Sequence, residues 1–510
     1  MTTWDAFGPS AARPRRIRGG EIPTPHPVSW RKQRRAQARL AGPPPQAAAD
    51  PGAAEGATVR LGRLTVDLDA VFTFALFIAL LFIANLATLG AAIIAAAVPL
   101  YLFVRRRKLE RVLFVRGFLF AIPAFAIFST IWSEAPKETL KFALELTITV
   151  VAGLLISSAR NQEAALRAMA CAFLTYIAFS LVSGGTVAVG VGAGGSAFSG
   201  LTESKNLLAD IASTGVLVFL GMGLMAVRSR SWLWAAVALV GLALGFHAVT
   251  AARSAGALLG LAAGVGAMLA LLPLLKAHRA VRAWLTAMVG VVLLGVGLSY
   301  RWLSQALIEW GAQTFDKDPT LTGRTYLWYR AADLMHEKPL LGRGYYAFWL
   351  QGNPDAEGLW KYFGIDSRGG FTFHNTFVEI LVTMGLLGLI VVGITVAVGV
   401  FALVRRFVIR PNLALVFWVG VLLYQLSRTG IETIGIAPFY FSTVLAFGAL
   451  GAAFGRVDSP RIARTAYRPQ QPRMVQVWPV EQIPSGWANP RLRPEAGSLR
   501  LLRSDIEPHR

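Results

Sequence analysis

The chain has 510 residues, 55% hydrophobic and 15% charged, with a formal net charge of +22 at pH 7. Soluble domains carry about 25% charged residues, so this composition excludes an ordinary soluble protein, and it is too apolar for a disordered one. It also argues against the nucleic-acid binder that +22 would otherwise suggest, while the one cysteine, Cys171, excludes an intrachain disulfide and argues against a cysteine-based metal site.

Residues 1–65 are polar, rich in Pro, Ala and Arg, and without helical or alternating period. Basic clusters at Arg13–Arg18 and Arg31–Arg35 precede Pro43, Pro44 and Pro45, and no apolar core with a cleavage site suggests a signal peptide. A disordered basic cytoplasmic tail is expected here and again at 456–510; attraction of its arginines to anionic lipid headgroups is the second reading. Between the tails, twelve apolar segments long enough to cross a bilayer are predicted. They lie at 69–87, 88–104, 112–132, 138–158, 168–192, 207–227, 232–251, 256–275, 283–299, 376–404, 411–427 and 436–455. Residues 66–299 thus carry nine spans and 376–455 three more.

The connections alternate in charge. One set holds Arg105, Arg106, Arg107, Lys108 and Arg111; Arg160 and Arg167; Arg228 and Arg230; Lys276, Arg279 and Arg282; and Arg405, Arg406 and Arg410. The alternate short connections hold only Lys137, Lys205, Arg253 and Arg428. The positive-inside rule places the rich set and both termini in the cytoplasm. The expected fold class is an all-α polytopic membrane protein with one large, partly helical outer loop at 300–375. That loop carries Trp310, Trp328, Trp349, Trp360 and several tyrosines among its charges, so it should be ordered and pack on the bundle.

Cations that face outward against the charge rule need a reason. Arg253 sits in the turn between the seventh and eighth spans. Arg324 opens an amphipathic stretch ending before Pro339, with Leu327, Ala331 and Leu334 on one face and Thr322 as N-cap. An arginine in a first helical turn opposes the macrodipole unless an anion meets both, and a guanidinium fork suits phosphate. Pairing of Arg324 with Asp316 or Asp318 is the competing reading, and local sequence leaves the two level.

Of six histidines only His336 and His374 face outward. His336 reads as an ordinary last-turn residue. His374 stands where the loop re-enters the membrane, before Asn375, a cap for the next helix, and Glu379, which could orient the imidazole or an arginine. A neutral histidine at an interfacial cleft can act as a general base; a structural role beside the cap is the other reading. Asp67-Leu68-Asp69 and Asp316-Lys317-Asp318 are read as solvated charges, and no metal is expected. Arg116 is expected to snorkel. Glu145 and Asp210, inside spans, point to function or to pairing with a neighbouring helix.

The ordered set Gly323-Arg324…Trp328, Lys338-Pro339-Leu340-Leu341-Gly342-Arg343-Gly344, His374-Asn375-Thr376 and Met384-Gly385-Leu386-Leu387-Gly388 resembles the O-antigen ligase and polymerase family. Lys205-Asn206, Arg253-Ser254 and Trp132-Ser133-Glu134-Ala135-Pro136 resemble its weaker motifs. Each is short; their order and common outward side make the set specific over roughly 70–455.

The resemblance implies a GT-C-like membrane glycosyltransferase of the bacterial inner membrane, active at the periplasmic face. Its substrate would be a sugar chain on undecaprenyl diphosphate, its second substrate a glycan acceptor, and its setting the lipid bilayer beside other membrane proteins of polysaccharide assembly. Arg253 and Arg324 match the arginines that meet the leaving diphosphate, and His374 the histidine that deprotonates the acceptor. Arg343, Glu379, Lys205 and Asn375 are expected in support; metal-independent, inverting transfer without a cofactor is implied, with no nucleic acid. The family usually has a hydroxyl residue where Ala252 stands, and a small or apolar one at Arg343, here a candidate extra phosphate contact. A polymerase making exopolysaccharide or O-antigen is the leading expectation. A ligase passing a finished chain to lipid A core or protein is the nearest alternative, and a transporter or flippase of the same lipid-linked sugars is the alternative of another class.

Overall fold

Backbone polar groups in lipid must be satisfied internally, which confines spanning segments to helices or closed barrels. The computed structural model describes residues 58–61, 64–190, 193–298, 324–368 and 370–454, and its apolar runs are helical. In chain order the main helices are α1 (Leu68–Leu81), α2 (Thr88–Val115), α3 (Ala121–Phe128), α4 (Pro136–Ser157), α5 (Gln162–Ser183), α6 (Lys205–Arg228) and α7 (Trp232–Ala251). They continue with α8 (Ala255–Leu274), α9 (Arg279–Leu298), α10 (Arg324–Glu337), α11 (Pro354–Phe363), α12 (Thr376–Ile409), α13 (Leu413–Arg428) and α14 (Phe441–Ala452).

Among the described residues seven helices are long and apolar enough to cross a membrane: α2 through Thr88–Arg105, and α4, α5, α6, α7, α8 and α12. Shorter apolar stretches occupy Leu68–Leu81, Gly117–Ile131, Leu413–Arg428 and Phe441–Ala452. The protein is a mostly helical polytopic membrane protein. Helix α6 is central, with 78% of its apolar window buried against 22–28% for α2, α7, α8 and α12. The outer helices leave Ile131, Leu233, Leu239 and Phe401 exposed, side chains that lipid tails solvate and water would not. Small residues let backbones meet inside: a Cβ on Gly264 of α8 would lie 3.0 Å from the Gly420 carbonyl of α13.

Several expectations are corrected. The fold is not purely α, since two antiparallel hairpins occur: β1 (Thr58–Leu61) with β2 (Leu64–Asp67), and β3 (Gly185–Gly190) with β4 (Ala193–Gly200). The first straddles the expected tail boundary at 65. The second ends the predicted 168–192 span early: α5 stops at Ser183, Gly184 and Gly185 break it, and Thr186, Val187 and Ala188 pair with β4 as a strand. Asp69 is buried rather than solvated, 3.3 Å from Arg105 and accepting the Arg160 N–H at 2.7 Å, while Asp67 caps α1. Arg116 does not snorkel. It is buried, donating to the Leu154 carbonyl at 3.1 Å and to Ser157, because the α4 C-terminus supplies acceptors inside the bundle. Thr322, Asp316, Asp318, Trp310 and the 1–57 and 455–510 segments lie outside the described residues.

The loop before α12 has its own core. Leu327, Ala331 and Leu334 pack as the helical spacing predicts, joined by Phe348, Ala356, Leu359, Trp360, Phe373 and Val382. It docks on the bundle through a break in α12 at Gly385, whose φ of 66° is left-handed. The break frees backbone groups, and the loop takes them: Arg343 and Gly344 donate to Val382 and Thr383, while Leu386 and Leu387 donate to Pro339 and Leu340. A Cβ on Gly385 would stand 2.4 Å from the Leu340 carbonyl carbon, and one on Gly342 2.6 Å from the Gly385 nitrogen. Two of the sequence motifs therefore exist to touch each other. A third grips from the far side: Trp132 Nε1 donates to the Leu341 carbonyl at 2.9 Å, and Glu134 pairs with Lys338 at 2.8 Å.

Candidate active site

The residues before α12 turn sharply. Asn375 caps the helix by accepting from the Phe377 and Val378 N–H groups, as expected. His374 just before it has φ 51°, a strained region for a residue with a Cβ. Trp328 Nε1 donates to the Phe373 carbonyl at 2.8 Å, tying α10 to this turn.

His374, Asn375 and Thr376 all bond to the connection between α13 and α14. The Asn375 amide donates to the Gly430 carbonyl at 3.1 Å. The Thr376 hydroxyl donates to the Glu432 carbonyl at 2.9 Å, and its backbone N–H to Thr429 at 2.8 Å. The His374 ring meets the Glu432 carboxylate, Nδ1 to Oε2 at 2.9 Å. Arg324 reaches the other oxygen of the same group, Nη2 to Oε1 at 2.8 Å, and also donates to the Ile431 carbonyl. Burial raises the Glu432 pKa, but the hydrogen bond from His374 and the charges of His374, Arg324 and Arg428 outweigh it and hold it at about 2. An ionised carboxylate only accepts, so Nδ1 is the donor, and in the neutral ring the lone pair then lies on Nε2. The ring is a quarter exposed. That is the tautomer a proton acceptor needs.

The turn before α8 arrives at the same place. Gly256 leaves room for Ile431, whose Cδ1 would sit 2.6 Å from a Cβ there. Arg253, also at positive φ (50°), is exposed and makes no ion pair among the described residues. Its Nη1 lies by Gly195 of β4. Ser254 donates to Asn206 at 3.1 Å, which brings Lys205 and the start of α6 alongside. The starts of α6, α8, α10 and α12 thus gather with Arg253 and Arg324, a setting that favours an anion.

Two supporting expectations are corrected. Glu379 does not orient His374; it is buried, accepting from Trp349 Nε1 at 3.1 Å and the Phe373 N–H at 3.0 Å, so it shapes the turn from beneath. Arg343 is buried between Glu134, at 2.7 Å, and Glu337, two carboxylates that already neutralise it. It holds the loop rather than presenting a fork to phosphate. Asp210 resolves as a paired charge: it accepts from Tyr424 at 2.6 Å and Tyr440 at 3.0 Å and forms an ion pair with Arg428. Glu432 and the inward role of Arg428 were missed from sequence. The signal was available, since Arg428-Thr429-Gly430-Ile431-Glu432 puts charge in a short connection expected to face outward, the same anomaly that singled out Arg253.

A protein-family model described as O-antigen ligase matches residues 240–393. The chain is also 30% identical over 351 residues to the exopolysaccharide production protein ExoQ of Rhizobium meliloti (strain 1021), an overlap covering 68% of this chain and 78% of that protein.

Proposed function

The chain belongs to the O-antigen ligase family, and from that premise we propose that it is an inner-membrane glycosyltransferase that polymerises undecaprenyl-diphosphate-linked oligosaccharide repeats into exopolysaccharide or O-antigen at the periplasmic face. Twelve spans in a GT-C-like arrangement, with both termini cytoplasmic, accompany this reading. The observation that supports it most directly is the shared carboxylate: Glu432 holds His374 and Arg324 on its two oxygens.

His374 Nε2 takes the proton of the acceptor hydroxyl as that oxygen attacks the anomeric carbon. The bond from that carbon to the diphosphate oxygen breaks, and the lipid diphosphate leaves with the electron pair. Arg253, Arg324 and the gathered helix starts meet the charge that develops there. Arg324 uses two N–H groups on Ile431 and Glu432, leaving the rest of its fork for phosphate oxygens. Glu432 stabilises the imidazolium that forms. Because the leaving group is already activated and met by arginines, transfer needs no metal and persists in EDTA.

The break in α12 argues against a carrier. Coupling sites of transporters use the freed backbone of broken helices, whereas here the carbonyls of Val382 and Thr383 are occupied by loop N–H groups.

The test is reconstitution with purified lipid-linked repeats. Chain extension that is lost in His374→Ala, Arg324→Ala and Arg253→Ala at normal expression is expected; full activity in those variants refutes the site. A deletion strain should accumulate single lipid-linked repeats. Accumulation of full-length lipid-linked polymer would instead assign a ligase.

A further inference from the structure

The loop carries a concavity that the transfer site does not use. A cleft of about 630 Å³ opens beside α11, lined by Gln351, Glu357, Trp360, Lys361, Asp366 and Arg368, within the range of about 300–1,000 Å³ typical of small-ligand sites. Its two acids and two bases cancel, and Glu357 and Arg368 already pair at 3.3 Å. A phosphate would want net positive charge. A neutral polyhydroxyl compound wants interleaved donors and acceptors, which this lining offers. Trp360, 2% exposed, forms a wall of this cleft.

The same helix supplies a platform for sugar rings. Tyr362, next to Lys361, lies against Tyr326 with ring centroids 4.3 Å apart, and the two are 62% and 39% exposed. Most other loop aromatics are core, Trp360, Phe348 and Phe373 among them. These tyrosines instead show their rings to solvent, and the negative face of an aromatic ring attracts the weakly positive C–H edges of a sugar. Tyr326 is two residues from Arg324, and rings run from Tyr362 through Phe363 and Phe371 to His374 at centroid separations of 5.0, 5.4 and 5.5 Å.

We infer that the α11 cleft and the Tyr326–Tyr362 platform form a glycan-binding subsite that holds a sugar chain a few residues from the point of transfer. The inference rests on the glycosyltransferase reading for its purpose, but binding can be measured without transfer. Full-length protein in detergent is titrated calorimetrically with lipid-free, phosphate-free fragments from partial acid hydrolysis of the host strain's own extracellular polysaccharide. Wild type, Tyr362→Phe and His374→Ala should bind alike, whereas Tyr362→Ala and Asp366→Asn should bind at least tenfold more weakly at unchanged thermal stability. In transfer assays Tyr362→Ala should raise the acceptor KM more than it lowers kcat. Absence of binding by wild type, or equal binding by Tyr362→Ala, overturns the subsite. If the binding pattern holds while His374→Ala keeps full transfer, the transfer site is wrong and the subsite stands.

Discussion

Glu432 accepts from His374 Nδ1 at 2.9 Å and from Arg324 Nη2 at 2.8 Å, one carboxylate joining a candidate base to a candidate anion binder. Three chain segments far apart in sequence meet there, so its removal should disturb both roles together.

Glu432→Gln can turn its amide toward Nδ1 and force the wrong imidazole tautomer. Transfer should fall roughly 10²–10⁴-fold in kcat, the scale of general-base loss, with partial recovery in Glu432→Asp. Wild-type kcat in Glu432→Gln would remove the carboxylate from the mechanism.

Acid should expose the same group. Its folded pKa of about 2 lies below the ordinary 4.5, so its contribution to stability is complete above pH 4.5 and is lost as pH falls toward 2. The melting-temperature gap between wild type and Glu432→Gln should therefore narrow as pH falls from 4.5 toward 2.

The two arginines should separate in stability though not in activity. Arg253→Ala and Arg324→Ala should each cost roughly 10²–10³-fold in rate, as loss of one charge-stabilising donor does. Thermal melting should be unchanged for exposed Arg253. It should drop for Arg324, whose loss leaves a part-buried carboxylate short of a partner.

Asp210 and Arg428 form a buried pair inside the bundle. Either Asp210→Leu or Arg428→Met alone should destabilise by about 3–5 kcal/mol, and the double variant by less than either, because no charge is then left unpaired. A double-mutant cycle on melting curves reads the coupling directly.

Gly385→Ala should be the most damaging small change in α12. The left-handed backbone alone costs about 1–3 kcal/mol, and the added carbon would overlap the Leu340 carbonyl at 2.4 Å. Low yield or early melting of Gly385→Ala, beside a normal Gly393→Ala, would confirm the docking; equal behaviour would reject it. Gly393 has open space around its Cβ position.

Composition and hydropathy determined by themselves that this is a helical membrane protein, because lipid imposes long apolar helices, and the ordered motifs carried the resemblance to the O-antigen ligase family, because short motifs survive as local strings. The N-cap at Asn375 and the buried face of Leu327, Ala331 and Leu334 were equally legible, since capping and helical period are local. Only the tertiary structure decided that Glu432, not Glu379, holds His374, that Arg343 is consumed by Glu134 and Glu337, and that Gly342 exists to meet Gly385. Those are contacts between segments up to 209 residues apart. Their partners are chosen by how helices pack, a quantity no local spacing encodes. The net charge of +22 divides on the same line: the charge rule reads an expected orientation for most of it from sequence, whereas an exposed arginine such as Arg253 is told from paired ones such as Arg343 only by what stands next to it.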